Sequence, residues 1–276
     1  MSRPGTLPDQ GRIGAGAPIR AASDVATGYW LLTADGHIYP FGSVPFHGSL
    51  GGLRLNERVT GLATVHGRHY AVTTEHGGVV VFGGAGYHGS TGGVAAEAGP
   101  VVGIASLASG EGYWLVSAYG GLQSFGEAPT YEADQLGCDA QVVALAGMRR
   151  RPGLWVAEAN GRVHCLGRAP YHGSAAGLPL RTPIAGICAS RDDDGYWLVG
   201  GDGGVFCFGT ARFYGSLGAE SLTSPVVGIA PTSQCGGYWV AQADGRVTAF
   251  GAAPDLGQID RYALTSPVVA IAAAQD

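Results

Sequence analysis

Three histidines, His47, His88 and His172, each stand in an aromatic-His-Gly-Ser tetrapeptide, and three equivalent imidazoles invite a metal reading. The tetrapeptides belong to separate repeat units and diverge from one another, so half-buried packing and hydrogen bonding are the expected roles. Asp192-Asp193-Asp194-Gly195 looks superficially like a calcium loop. An EF-hand, however, alternates its oxygen ligands over about twelve residues, and here a strand is expected to begin at Gly195, which leaves a solvated turn. Arg149-Arg150-Arg151 occupies the corresponding loop one unit earlier. The two loops should lie side by side, tied by an inter-loop salt network, with a partner-binding charged patch as the alternative.

Ligand-binding candidates come from the loops that lead into the first strand of each unit. They carry Arg54, Asn56, Glu57 and Arg58, then Arg181, then Asp260, Arg261 and Tyr262. Such a rim is expected around the mouth of an axial channel, where arginine forks suit carboxylate, phosphate or sugar hydroxyls; an ordinary polar rim is the bland alternative. The third unit departs furthest from the pattern. Tyr119 replaces the turn Asp, and Thr130-Tyr131-Glu132-Ala133 replaces the tetrapeptide, which adds Tyr131 and Glu132 to the candidates. The sixth unit has Asp255-Leu256-Gly257-Gln258 in that place. No nucleophile elbow, zinc-protease motif, P-loop or dinucleotide fingerprint is present, so no catalytic residue is assigned and no metal or cofactor is expected. Ser49, Ser90, Ser174 and Ser216 recur with the repeat and read as turn residues. The chain has no lysine, which excludes Schiff-base chemistry.

The elements that must position these residues form a repeat. An aromatic anchor recurs at Tyr29-Trp30, His69-Tyr70, Tyr113-Trp114, Leu154-Trp155, Tyr196-Trp197 and Tyr238-Trp239, every 40 to 44 residues. Each anchor is followed by Phe41, Phe82, Phe125, Leu166, Phe208 or Phe250 and then a glycine. Six units result, at about 28–68, 69–111, 112–152, 153–194, 195–236 and 237–276. Each reads as four short strands: a small-residue run such as Val226-Val227-Gly228-Ile229-Ala230, the Tyr-Trp run, a Phe-bearing strand after a hairpin whose Asp-Gly or Asn-Gly pair supplies the positive φ angles of a two-residue turn, and the aromatic-x-Gly-Ser segment. No helical periodicity is sustained. Units of this size with four strands predict an all-β propeller of six four-stranded blades over residues 18–276, preceded by an extension over 1–17. Gly61, Gly103, Ala144, Gly186, Gly228 and Ala270 share one first-strand position, as a crowded axis requires. The first-strand motif occurs a seventh time at Ile19–Ser23; the C-terminal copy is expected to complete the first blade, with a seventh, thinner blade from both termini as the alternative.

Composition fits this reading. Glycine is 49 of 276 residues while 46% are hydrophobic, the balance of buried strands joined by tight turns rather than of a disordered chain. Only 13% of residues are charged and the net charge is −5, which disfavours nucleic-acid phosphates as a partner. No apolar run is long enough to cross a bilayer, so no membrane partner is expected. Five cysteines without C-x-x-C spacing, and an N-terminus without an apolar signal region, point to a reducing cytoplasmic setting, or a secreted one if a leader was removed.

The unit Gly195-Tyr196-Trp197-Leu198-Val199, Asp202-Gly203-Gly204-Val205-Phe206-Cys207-Phe208-Gly209, Phe213-Tyr214-Gly215-Ser216 and Pro225-Val226-Val227-Gly228-Ile229-Ala230 is similar to a repeat widespread in actinobacterial proteins. There it recurs in predicted β-propellers, often exported and often attached to cell-wall hydrolases or adhesin-like modules. The resemblance covers roughly residues 18–274, implies a propeller, and carries no catalytic motif. The expected function is a recognition module that binds a carbohydrate, small ligand or protein at the channel face. The alternative is a stand-alone lyase, cyclase or isomerase acting on a small metabolite in the channel mouth. Similar polar-aromatic sites in several blades would favour the first, and one asymmetric pocket with convergent titratable groups the second.

Overall fold

A run such as Gly-Tyr-Trp-Leu-Val-Gly has no polar face to turn to water, so a strand made of it must be covered on both sides. Every second strand of the repeat meets this condition. In the computed structural model, which describes residues 27–91, 99–131, 136–259 and 264–275, these strands are buried along their length and sit at the centre of three-stranded antiparallel sheets. Sheet I comprises β1 (Gly28–Thr33), β2 (Ile38–Gly42) and β18 (Val268–Ala273). Sheet II holds β3 (Val59–Val65), β4 (His69–Thr74) and β5 (Val79–Phe82), and sheet III holds β6 (Val101–Ser106), β7 (Gly112–Ser117) and β8 (Leu122–Gly126). Sheet IV is β9 (Val142–Gly147), β10 (Gly153–Glu158) and β11 (Val163–Gly167). Sheet V is β12 (Ile184–Ala189), β13 (Gly195–Gly200) and β14 (Val205–Gly209). Sheet VI is β15 (Val226–Pro231), β16 (Gly237–Gln242) and β17 (Val247–Gly251). The described residues contain no helix.

The C-terminal strand β18 pairs antiparallel with β1, Trp30 opposite Ala272. The chain end thus completes the first sheet, as the seven-to-six mismatch in motif counts requires. The first-strand copy at Ile19–Ser23 and the 1–17 extension lie outside the described residues. First strands of successive sheets touch in the order β3, β6, β9, β12, β15, β18, and β18 in turn touches β3. This arrangement of six repeated sheets is compatible with a propeller. Crowding between first strands explains their small residues: a Cβ on Gly186 would meet the Gly228 backbone at 3.1 Å.

Three expectations need correction. Each sheet has three strands, not four: the aromatic-x-Gly-Ser segment is irregular in the four units that carry it. Side chains, not a ladder, satisfy its backbone. The Trp30 indole donates to Pro45 O at 2.8 Å, while the Tyr70 hydroxyl of the next sheet accepts from His47 N and donates to Gly48 O. Indole donations of the same kind run from Trp114, Trp155, Trp197 and Trp239 to Pro129, Pro170, Arg212 and Pro254. Tyrosine contacts repeat from Tyr113, Tyr196 and Tyr238, and Tyr29 carries the pattern from unit six to unit one by donating to Gly257 O at 2.5 Å. The segment is therefore a strap that couples its own sheet to the following one. Second, unit two is shifted by one residue: Tyr70 lies opposite Phe82 as Tyr29 lies opposite Phe41, so Tyr70 fills the tyrosine place and Ala71 the tryptophan place. Third, the hairpins are not two-residue turns with both centres at positive φ. Gly36 N bonds Thr33 O and Gly36 alone takes φ 86°, a type I turn closed by a left-handed glycine.

Candidate functional site

Four large rings that the repeat places at one strap position face solvent: Phe46 is 56% exposed, Tyr87 58%, Tyr171 62% and Phe213 60%. Unit three has Thr130 there and unit six Asp255, so the rings fall in two adjacent pairs, on units one and two and on units four and five. Exposing an aromatic ring forgoes about 1.5–3 kcal/mol of burial, and four copies at one position form a pattern rather than the scattered exposure of an ordinary surface. Their mounting is equally regular. At Tyr171, the preceding Pro170 carbonyl is held by the Trp155 indole at 2.9 Å and the following His172 N–H by the Tyr196 hydroxyl at 3.3 Å. At Phe213 the corresponding bonds run from Trp197 to Arg212 O at 2.8 Å and from Tyr214 N to Tyr238 at 3.1 Å. Phe46 is pinned in the same way by Trp30 and Tyr70. Tyr87 keeps only the second tie, His88 N to Tyr113, because Ala71 stands where an indole would be. Its own hydroxyl instead meets Ser90 Oγ at 3.2 Å. Phe46, Tyr171 and Phe213 are therefore presented on backbone fixed from two sheets, and Tyr87 on backbone fixed from one.

The three histidines serve the same junctions. His47 Nε2 contacts Arg68 O at 3.1 Å, His88 Nε2 contacts Gly110 O at 3.2 Å, and His172 Nε2 lies 3.0 Å from an Asp194 carboxylate oxygen. Each reaches the loop between the first two strands of the next sheet and packs against that sheet's tyrosine. In unit five Tyr214 does the same work, donating to Cys235 O at 2.9 Å.

The first strands enclose two cavities in line, one of about 400 Å³ and one of about 110 Å³, and both are walled by residues from all six sheets. Leu62, Ile104, Leu145, Ile187, Ile229 and Ile271, spaced one per unit, border both and form the neck between them. The wider cavity opens beside the loops that join first to second strands, with His66, Arg149 and Gln275 at its mouth. This is the face opposite the one where Arg54, Arg58 and Arg181 were sought. Neither cavity is lined by any of these arginines or by Tyr131. Arg54 and Arg58 are exposed, and Arg181 donates to Gly218 O at 3.1 Å beside a side cavity of about 340 Å³ that also touches Asp202. Tyr131 stacks on Trp114 with centroids 6.1 Å apart. Glu132, Asp260, Arg261 and Tyr262 lie outside the described residues.

The Arg149–Arg151 and Asp192–Asp194 loops do adjoin, but through a different bond from the one expected. Buried Asp193 accepts the backbone N–H of Arg149 at 2.7 Å and of Arg150 at 2.8 Å, and Arg149 Nη1 reaches on to Ser233 O at 3.3 Å. Three neighbouring loops are stitched together in this way. The Arg149 Nε and Nη2 atoms are buried without a hydrogen-bond partner. The Cys188 and Cys235 thiols are pushed up chiefly by burial, with Arg149 opposing.

Of the residues that matter here, Phe46, Tyr87, Tyr171 and Phe213 were visible in the sequence only as repeat markers. Their spacing carried no sign of exposure, because exposure follows from the strap conformation. A second group escaped the sequence reading altogether: Cys138, Glu158 and His164 place one sulfur, one oxygen and one nitrogen within 4.8 Å of one another. No protein-family model and no curated protein matches the chain. No helix among the described residues is long and apolar enough to cross a membrane.

Proposed function

We propose that the chain is a six-bladed β-propeller, closed by β18, that acts as a multivalent carbohydrate-recognition module through its rim of exposed rings. Closure is supported by the sequence of touching first strands, by cavities that draw on all six sheets, and by the Tyr29 to Gly257 bond across the chain ends. One observation carries the function: the same exposed ring recurs on four units, its backbone held from both sides at Phe46, Tyr171 and Phe213 and from one side at Tyr87. A sugar presents a flat C–H face edged with hydroxyls, and a rigid aromatic plane beside polar groups complements it at little entropic cost. Rings that stand one per blade suit repeated units of a glycan better than a protein partner, which favours one contiguous apolar patch.

The single-site enzyme reading draws less support. The wider axial cavity has the size of a ligand pocket, yet among the described residues its lining holds one imidazole, His66, one guanidinium, Arg149, one thiol, Cys188, and no carboxylate. Its hydroxyls are also committed: Ser106 Oγ donates to Thr64 O and Thr64 Oγ1 to Ala273 O.

Affinity electrophoresis through gels containing polysaccharides tests the proposal. Wild-type protein should be retarded by at least one glycan, and replacing Phe46, Tyr87, Tyr171 and Phe213 together by Ala should abolish the retardation with the fold intact. Retardation that survives the fourfold replacement, or binding confined to proteins, would refute it.

A further inference from the structure

Unit four breaks the repeat at the end of its second strand. Thr33, Thr74, Ser117, Gly200 and Gln242 occupy that place in the other units, all uncharged, whereas unit four has Glu158, fully buried. A carboxylate taken out of water needs compensation, and two further side chains meet it there. His164, on the paired strand β11, puts Nε2 2.5 Å from Glu158 Oε1. Cys138, in the segment leading into β9, brings its sulfur within 4.8 Å of the same carboxylate, lodged against Gly120 of the preceding sheet. The other carboxylate oxygen is already held: Glu158 Oε2 accepts Ala140 N–H at 2.8 Å and Asn160 Nδ2–H at 3.1 Å.

We propose that Cys138, Glu158 and His164 form a binding site for a zinc-class divalent cation at the junction of sheets III and IV. The three ligand atoms lie within 4.8 Å of one another, and small rearrangements bring them to the separations of about 3.3–3.8 Å that tetrahedral bonds of about 2.0–2.3 Å impose. A soft sulfur, an imidazole and one carboxylate oxygen make a donor set suited to zinc or cobalt rather than to magnesium or calcium. The bonds from Ala140 and Asn160 orient Glu158 so that only Oε1 is free, the outer-shell arrangement that fixes a monodentate carboxylate. On binding, the Cys138 thiol proton leaves to solvent, and the proton between His164 Nε2 and Glu158 Oε1 gives way to the tautomer with hydrogen on Nδ1, which frees the Nε2 and Oε1 lone pairs for the metal. Water completes the fourth position.

Cobalt(II) titration of the chelator-treated full chain tests this. One equivalent should produce a thiolate-to-cobalt charge-transfer absorption together with the intense visible bands of four-coordinate cobalt, and zinc should bleach both. Cys138→Ser should remove the charge-transfer band, while Cys235→Ser, away from the site, should keep it. His164→Gln should weaken cobalt binding by about 100-fold, at or beyond the top of the range for losing an outer-shell partner. The absence of a charge-transfer band, or a band unchanged in Cys138→Ser, overturns the proposal. Should Cys138→Ser fail to fold by circular dichroism, His164→Gln decides: unaltered affinity overturns the site, and a loss of 10-fold or more sustains it.

Discussion

Replacing Tyr196 by Phe isolates what the straps contribute. The ring stays, together with its tilted packing on Trp155 at 5.4 Å and Phe208 at 5.3 Å, so no cavity forms and only the hydroxyl is lost. That hydroxyl accepts from His172 N and donates to Gly173 O, the two backbone groups on the far side of the exposed Tyr171 ring. A neutral hydrogen bond contributes a net 0.5–1.5 kcal/mol or about that, and a fully buried orphan group costs about 1–3 kcal/mol. These groups are part-buried, and water can reach one of them once the strap loosens, so the expected cost for the pair is about 1–2 kcal/mol. Urea unfolding reads it as a lower midpoint at unchanged slope. Hydrogen exchange should show the His172 amide losing its protection while the β13 ladder amides keep theirs. A midpoint shift below about 0.3 kcal/mol with the His172 amide still protected would refute the strap account. A cost above about 4 kcal/mol would place the hydroxyl in a core role instead.

Other consequences can be checked as directly. Gly186→Val should destabilise by about 1–3 kcal/mol, measured by urea midpoint, because its Cβ would press on the Gly228 backbone at 3.1 Å, which cannot move as a side-chain tip can. Burial alone would raise the Asp35 carboxyl, but hydrogen bonds from Thr33 and Thr265, with His37 adding to them, outweigh it and hold the group at about 2. A carboxyl depressed in the folded state contributes stability that is complete above its unfolded value of about 3.9 and is lost as pH falls toward the folded one. Asp35 ties the first hairpin to Thr265, just before β18. Thermal scans should therefore show Asp35→Ala and wild type converging below pH of about 2 and differing by at most about 1 kcal/mol above pH of about 4, given the exposure of the group. Burial pushes the Cys138 and Cys165 thiols up to about 11 and holds Cys188 well above the ordinary thiol value, so thiol titration of the native protein should be slow at all three and slowest at Cys188, the most buried.

The repeat, the all-β class and the completion of the first sheet by the C-terminal copy were legible because each rests on residue types recurring in register. Errors arose where one residue type can serve two purposes. His69-Tyr70 looks like an anchor pair, yet only Tyr70 continues the pattern, and the missing tryptophan at Ala71 hid the one-residue shift. The aromatic-x-Gly-Ser segment alternates like a strand. Pro45, Pro129, Pro170 and Pro254, which cannot donate to a ladder, were the signal against that reading. Charge marks loops in the sequence, and it drew attention to the end of the first strands where the narrower cavity lies. The wider mouth instead lies by the loops of His66, Arg149 and Gln275, only two of which can carry charge. Exposure of Phe46, Tyr87, Tyr171 and Phe213 depends on where the straps run between sheets, which no local pattern encodes. Glu158 could have been found, since a carboxylate ending a Leu-Trp-Val-Ala run breaks a position that is uncharged elsewhere.

Counting ligands by native mass spectrometry, with a short oligosaccharide of whichever polysaccharide retards the protein, tests the central claim most directly. The rim account predicts more than one equivalent bound per chain, with Phe46→Ala, Tyr87→Ala, Tyr171→Ala and Phe213→Ala each lowering the occupancy of one site and sparing the others. A single bound equivalent that none of these four replacements disturbs would contradict it and move the search to the axial cavity.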